Sequence, residues 1–426
     1  MTMNTARLRR IVAAIGIAAG ISGAGAAAAA AAPVAITSCN QTVTTDAKLA
    51  TNLTCPLPAS PGALVGITAG ADGITIDLGG HTLTAPPTFN TVPRSTQNGV
   101  GVLVLGHNRV RVVNGKLNGW TTGVLVRAIE NPSPTPGVPA ANNQVSTISV
   151  LDCGTTGASR RGIDVAEPGT QDNQIANNTV TGAHCTAGIR LHEADGTLAK
   201  NNTVRVGTAP VGDGLVLDCG SDNTVTANTL SSNGRYGLLD GQSHDNTISS
   251  NTIASNASHG IFLGPAISNE CSAFAASNNL ITDNTIATNG GNGILVGKAS
   301  EATRNQTAVA TGNQITLDKV KSNGLDGVDL EDGGNTVAGG ELSRNAGAGL
   351  LAPSNGNAIT LTEADRNLGD GFRVTGTGNA LSRDFAVGNG GGGVYAGPSN
   401  TDGAANGGFL NAIAAHNCVF GANACS

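Results

Sequence analysis

Side chains able to grip an anion and move a proton recur in this sequence at fixed distances behind a glycine. The recurring unit is Gly, an aliphatic residue, a variable residue and a second aliphatic residue. Asp164 and Arg190 occupy its third position, Arg127, His192 and Asp218 the residue just after it, and Glu167 and Glu193 one residue further on. If successive units stack as neighbouring strands, Asp164 lies one strand from Arg190 and His192 one strand from Asp218, about 5 Å apart. An arginine beside carboxylates can bind a substrate carboxylate through two parallel hydrogen bonds. Neutralising a uronate carboxyl in this way acidifies the α-proton, and a histidine near its ordinary pKa can remove it. The expected roles are Arg127 and Arg190 as carboxylate binders, His192 as the base and Asp218 as the group that orients its ring. Asp164 and Glu193 position Arg190 or recruit a metal, and Glu167 joins the substrate-binding wall. The plainer reading is that Asp164–Arg190 and His192–Asp218 are cross-strand ion pairs that stabilise an exposed sheet.

A second set of charges lies nearer the C-terminus: Asp326, Asp329, Glu331 and Asp332, with Arg373 and Tyr395 further along. Carboxylates at such short spacing can hold Ca²⁺, although no EF-hand pattern is present and an acidic turn is more often solvated. His81, in Gly-Gly-His-Thr-Leu, reads as structural, and His244 and His259 fall in turns without an evident partner. The eight cysteines suit an oxidising compartment. Cys39 and Cys55 bracket one end and Cys418 and Cys425 the other, which predicts two terminal clips. Cys153 can pair with Cys185 from successive turns, which leaves Cys219 and Cys271; free thiols stay open for these inner four. None has a C-x-x-C zinc spacing.

The elements that must position these groups are visible in the repeat. Gly327, Gly349, Gly371 and Gly393 are 22 residues apart, and the same signature stands at Gly99, Gly123, Gly162, Gly188, Gly214, Gly237, Gly260 and Gly293. Twelve signatures at nearly one period predict a solenoid whose units cannot bury their apolar stripe alone. Each signature is followed by Asn-x-aliphatic steps five residues apart, as at Asn223, Asn228 and Asn233. Period-two alternation puts one side chain in and the next out. Asn breaks the strand, tolerating a left-handed backbone, and its amide can bond to the amides of the coils above and below. A Pro-rich insertion from Asn131 to Ala141 starts just after Arg127 and is expected to wall the cleft.

The fold class that follows is all-β: a single-domain right-handed parallel β-helix of about twelve coils with an N-terminal cap. Residues 1–32 read as a signal peptide, with Arg7, Arg9 and Arg10 before an apolar stretch that ends in Ala30-Ala31-Ala32. Residues 33–97 are the cap and first coils, and 98–426 the repeats with a disulfide-clipped end. A secreted or periplasmic monomer is thus expected, with no membrane span after signal cleavage. The net charge of −6 and the lack of a basic stripe exclude nucleic acid as a partner.

Asp72-Gly-Ile-Thr-Ile-Asp-Leu-Gly-Gly-His-Thr-Leu-Thr, Val112-Val-Asn-Gly-Lys-Leu-Asn-Gly and the Asn-x-aliphatic coils resemble the secreted parallel β-helix superfamily of pectate-lyase-like and NosD-type repeat proteins. The resemblance spans nearly all of the mature chain. It implies a substrate lying across the outside of one sheet, which is where the charges above stand. It also implies several functions, because this fold carries lyases, epimerases, hydrolases and non-catalytic members. An extracellular polysaccharide is the expected partner, acted on by a lyase- or epimerase-like site. The alternatives are a non-catalytic extracellular rod and, more weakly, a NosD-type periplasmic accessory protein. With aromatics at 2%, sugar stacking contributes little, and arginine must do the gripping.

Overall fold

Short parallel strands joined by turns make up the wall of the coils, lengthening to 9 and 11 residues at Ala187–Asp195 and Arg161–Gln171. The computed structural model describes residues 31–57, 64–87, 99–130, 137–154, 159–207, 211–264, 276–297, 309–413, 418–421 and 423–424. In one representative coil the strands are Leu238–Gly241, Thr247–Ser249 and Thr252–Ala254, after which Ile261–Gly264 begins the next. The alternation expected from the sequence holds: Leu238, Ile248, Ile253 and Ile261 are wholly buried inside, while Thr247 and Thr252 face outward. Each fully buried aliphatic side chain contributes about 1.5–3 kcal/mol, and the stack makes one continuous core of them.

All the glycine-led strands pair in parallel, one coil after another. Val328↔Leu350, Leu350↔Phe372 and Phe372↔Val394 are partners, reproducing the 22-residue step of the sequence. The stack already includes Gln41–Val43 and Val65–Ala69 before the first signature, and it runs to Cys418–Phe420. The result is a parallel β-helix. The glycine at the head of each unit is required by close approach: a Cβ on Gly188 would stand 2.2 Å from Val204 Cγ1 and 2.8 Å from the Gly214 carbonyl oxygen.

Buried asparagines form columns along the rod. The Asn228 backbone N–H and side-chain Nδ2 both donate to Asn251 Oδ1, at 2.9 and 3.0 Å, and Nδ2 also donates to the Ala199 carbonyl. Another column runs from Asn256 through Asn289, Asn323, Asn345, Asn367 and Asn389 to Asn411. Inside the core an unpaired amide would cost about 1–3 kcal/mol, so each rung depends on its neighbours. The left-handed backbone, however, belongs to the residue before the asparagine: Ala227, Ser250 and Thr288 have φ of 54°, 56° and 56°. The asparagine itself must stay in register to serve the ladder, so its solvent-facing predecessor makes the turn.

Two disulfides are as expected from the spacing, Cys39–Cys55 and Cys153–Cys185. Cys219 and Cys418 are also disulfide-bonded, so the free thiols left open for the inner cysteines are not found among the described residues. Their expected partners, Cys271 and Cys425, lie outside the described residues, as do residues 1–30 of the expected signal peptide and 131–136 of the Pro-rich insertion. The described end of that insertion returns to the stack, with Ile129 bridged to Val138 and Ala140–Ala141 paired with Thr170–Gln171. No helix among the described residues is long and apolar enough to cross a membrane.

Candidate functional site

The strands Thr122–Arg127, Arg161–Gln171, Ala187–Asp195 and Asp213–Asp218 lie side by side. Ile163, Val165, Ile189, Leu191, Leu215 and Leu217 fill the interior, so the residues between and after them are turned outward. The register brings Leu125, Asp164, Arg190 and Val216 into one row and Ala166, His192 and Asp218 into the next. The sequence spacing therefore places Asp164 beside Arg190 and His192 beside Asp218.

The contacts knit these rows together. Asp164 accepts from Arg190 Nε at 3.0 Å and from Arg161 Nη1 at 2.8 Å. His192 Nδ1 meets Asp218 Oδ2 at 3.1 Å, which leaves Nε2 on the side of Glu193, 3.9 Å from its Oε2. Arg190 Nη1 lies 4.0 Å from Asp218 Oδ2. On the rim, Arg127 Nη2 pairs with Glu167 Oε1 at 2.8 Å. Burial lowers the Arg161 guanidinium below its ordinary pKa, and Asp164 opposes that shift.

One expectation is corrected here. These are not ion pairs on an exposed sheet: Asp164, His192 and Asp218 are only 2%, 4% and 6% exposed. Outward from the helix interior is not outward to water, because neighbouring long side chains and the adjoining coils close over them. Charges so desolvated depend on their partners, and removing one partner costs about 3–5 kcal/mol.

Two openings adjoin the cluster. Arg161, Glu167, Arg190, His192 and Glu193 line a polar cleft of about 330 Å³. A second, of about 210 Å³, shares Arg161 and Arg190 and adds Asp213, Asp218 and Arg235 over Ala187, Val216 and Leu239. His192 lines the first cleft, with a carboxylate on one nitrogen and Glu193 on the side of the other.

Potential metal ligands gather in two places among the described residues. Glu130, Glu167 and Glu193 bring carboxylate oxygens within 4.8 Å of one another, and His192, Asp218 and Cys219 do likewise. The second set lacks a thiolate, because Cys219 is in a disulfide. Asp326, Asp329, Glu331 and Asp332 do not bring three ligand atoms that close. Asp329 instead accepts from Asn292 Nδ2 at 3.1 Å, and burial, with Asp326 and Glu331 nearby, pushes its carboxyl up to about 7. Arg373 is exposed and 3.5 Å from Asp370, with Tyr395 its register partner.

Sequence reasoning missed Arg161, Asp213 and Arg235. Arg161 and Asp213 immediately precede signature glycines, in a column that also holds Tyr236, His259, Asn292 and Asp326. That column was a readable signal, since the residue before each glycine begins the outward corner. Its middle coils are not bland. Arg235 pairs with Asp213 through Nε at 2.9 Å and lies 4.6 Å over the Tyr236 ring. Tyr236 stacks on His259, whose Nδ1 accepts the Asn292 N–H at 2.9 Å. His259 thus has partners, and burial depresses its pKa to about 4. His244 has one too, with Nδ1 3.0 Å from Asp245.

The family model described as "Right handed beta helix region" matches residues 161–324. Among curated proteins none matches the chain. Several solved structures are similar to it. A tailspike protein mutant of E. coli bacteriophage HK620, in complex with hexasaccharide, is 10% identical over 84% of this chain and 68% of that one, with a TM-score of 0.52. The Azotobacter vinelandii mannuronan C-5 epimerase AlgE4 A-module is 14% identical over 85% and 90%, with a TM-score of 0.45. The periplasmic alginate epimerase AlgG is 14% identical over 83% and 81%, with a TM-score of 0.44. At such identities the likeness concerns the fold.

Proposed function

This chain is a right-handed parallel β-helix protein, and on that basis we propose that it acts on an acidic polysaccharide outside the cytoplasm, by taking the proton α to a uronate carboxyl. The observation that supports this reading is the His192 imidazole, bonded to Asp218 at Nδ1, in the lining of a cleft that Arg161 and Arg190 also line. The arginines bind the carboxyl and withdraw its charge, His192 removes the C5 proton, and Asp218 stabilises the imidazolium that forms. Two outcomes are open to the resulting carbanion. Loss of the C4 substituent leaves a 4,5-double bond, and return of a proton to the other face inverts C5. The disulfides support an oxidising location.

The test is to offer the purified protein a panel of uronic-acid polysaccharides. Elimination is read as new ultraviolet absorbance and inversion as deuterium uptake at C5 from heavy water. Absence of both across the panel removes the reading. A second reading, a non-catalytic extracellular rod, is favoured by one observation: Asp164, Arg190, His192 and Asp218 are already mutually paired. It predicts glycan binding without turnover, or neither.

A further inference from the structure

We infer that the second cleft is a separate subsite for the sugar next to the one that reacts at His192, and that Arg235 sets its preference for a uronate. This rests on the polysaccharide reading above. The two clefts share Arg161 and Arg190 in their linings. The floor of the second is apolar, formed by Ala187, Val216 and Leu239. Its rim is polar throughout. This is the profile of a pyranose, whose C–H face seeks an apolar surface while its hydroxyls need donors and acceptors at the edge.

Charge specifies the ring further. Arg161, Arg190 and Arg235 line this cleft with Asp213 and Asp218; Arg161 and Arg190 share the Asp164 carboxylate, so Arg235 is the guanidinium that distinguishes this cleft from its neighbour. A carboxylate on a ring in the second cleft would meet Arg235. Arg235 is set for this work: Asp213 holds its Nε and Nη2, and the Tyr236 ring lies beneath it. A guanidinium so pre-organised loses little side-chain entropy on binding.

Arg235 leads into the strand two coils beyond the one that carries His192, a separation of about 10 Å at the usual strand spacing. A ligand reaching both clefts must then contain more than one sugar. Calorimetric titration of the whole protein with galacturonate and mannuronate monomers and hexamers tests this. Arg235→Ala is expected to weaken hexamer binding by about tenfold or more, and Arg235→Lys to recover only part of it, because a lysine lacks the fork. Because Asp213 would be left buried and unpaired, the paired variant Arg235→Gln with Asp213→Asn is measured beside it, with circular dichroism confirming the fold. A folded paired variant that binds the hexamer as tightly as the parent overturns the subsite. If the parent binds no uronate oligomer, the polysaccharide reading itself fails, and the two failures are distinct.

Discussion

In the proposed reaction His192 is the base, and its burial changes how that role must be tested. Replacement by alanine would leave Asp218 desolvated without its partner, so a loss of turnover could be a loss of fold. His192→Gln keeps a hydrogen-bonding group toward Asp218 while removing the base. General-base help is worth typically 10²–10⁴-fold, and turnover on a responsive uronan is expected to fall by that factor with the melting temperature nearly unchanged. Arg373→Ala, at the exposed C-terminal pair, is expected to leave turnover intact. If Arg373→Ala abolishes turnover and His192→Gln spares it, the assignment belongs at the other end of the rod.

At the scale of the coil, one asparagine column is interrupted at Gly340 and Thr362. Asn284 donates twice to Asp318 Oδ1, but the next coil offers Gly340 in that place, and Asp318 Oδ2 is buried without a partner. A Cβ on Gly340 would meet nothing closer than 3.4 Å, and its φ is not among the positive values. Gly340→Asn therefore supplies a side-chain oxygen to the Asp318 N–H, as Asn335 does for Asn313. A gain of about 1 kcal/mol is expected from the added hydrogen bond. Asn289→Ala, which breaks a continuous column, should cost about 1–3 kcal/mol. Urea unfolding of the two variants checks the signs, and destabilisation by Gly340→Asn would count against the ladder account.

Across the whole molecule, buried carboxyls tie stability to pH. Burial pushes Asp240, Asp318, Asp329 and Asp384 up to about 7 from an ordinary 3.8. Each is protonated in the folded chain and ionised in the unfolded one between those values, so its stabilising contribution is full below about 4 and is lost as pH rises through about 7. His259, held near 4 from 6.5 by burial, acts oppositely as pH falls from 6.5 to 4. Four groups outweigh one, and the melting temperature is expected to be higher at pH 5 than at pH 8. Asp240→Asn should flatten that slope, since Asp240 faces the core between Leu217 and Leu263 with Oδ2 unpartnered. A melting temperature that rises from pH 5 to pH 8 would refute this. A disulfide holds the same structure at its N-terminal end. Opening Cys39–Cys55, which closes a loop of 16 residues, should cost about 3 kcal/mol. Peptide mapping without reductant is expected to find Cys418 with Cys425 and Cys219 with Cys271.

What the sequence by itself determined is the one-dimensional part of the structure. A glycine with two aliphatic residues at alternating positions, repeated every 22 residues or slightly more, allows only parallel stacking in register, and register alone set Asp164 against Arg190 and His192 against Asp218. The same reasoning reached two disulfides from spacing. Tertiary structure decided what depends on distance through space between different columns. Arg161 reaches Asp164 across three residues of its own strand, and Arg235 reaches Asp213 from the next coil. Neither column had been read with the other, because a pattern along the chain says where a side chain starts and not where its far end goes. Burial was decided the same way. Alternation assigns His192 to the outside, but solvent exposure depends on what else stands there, and the long side chains and adjoining coils around it leave only 4% of it in water.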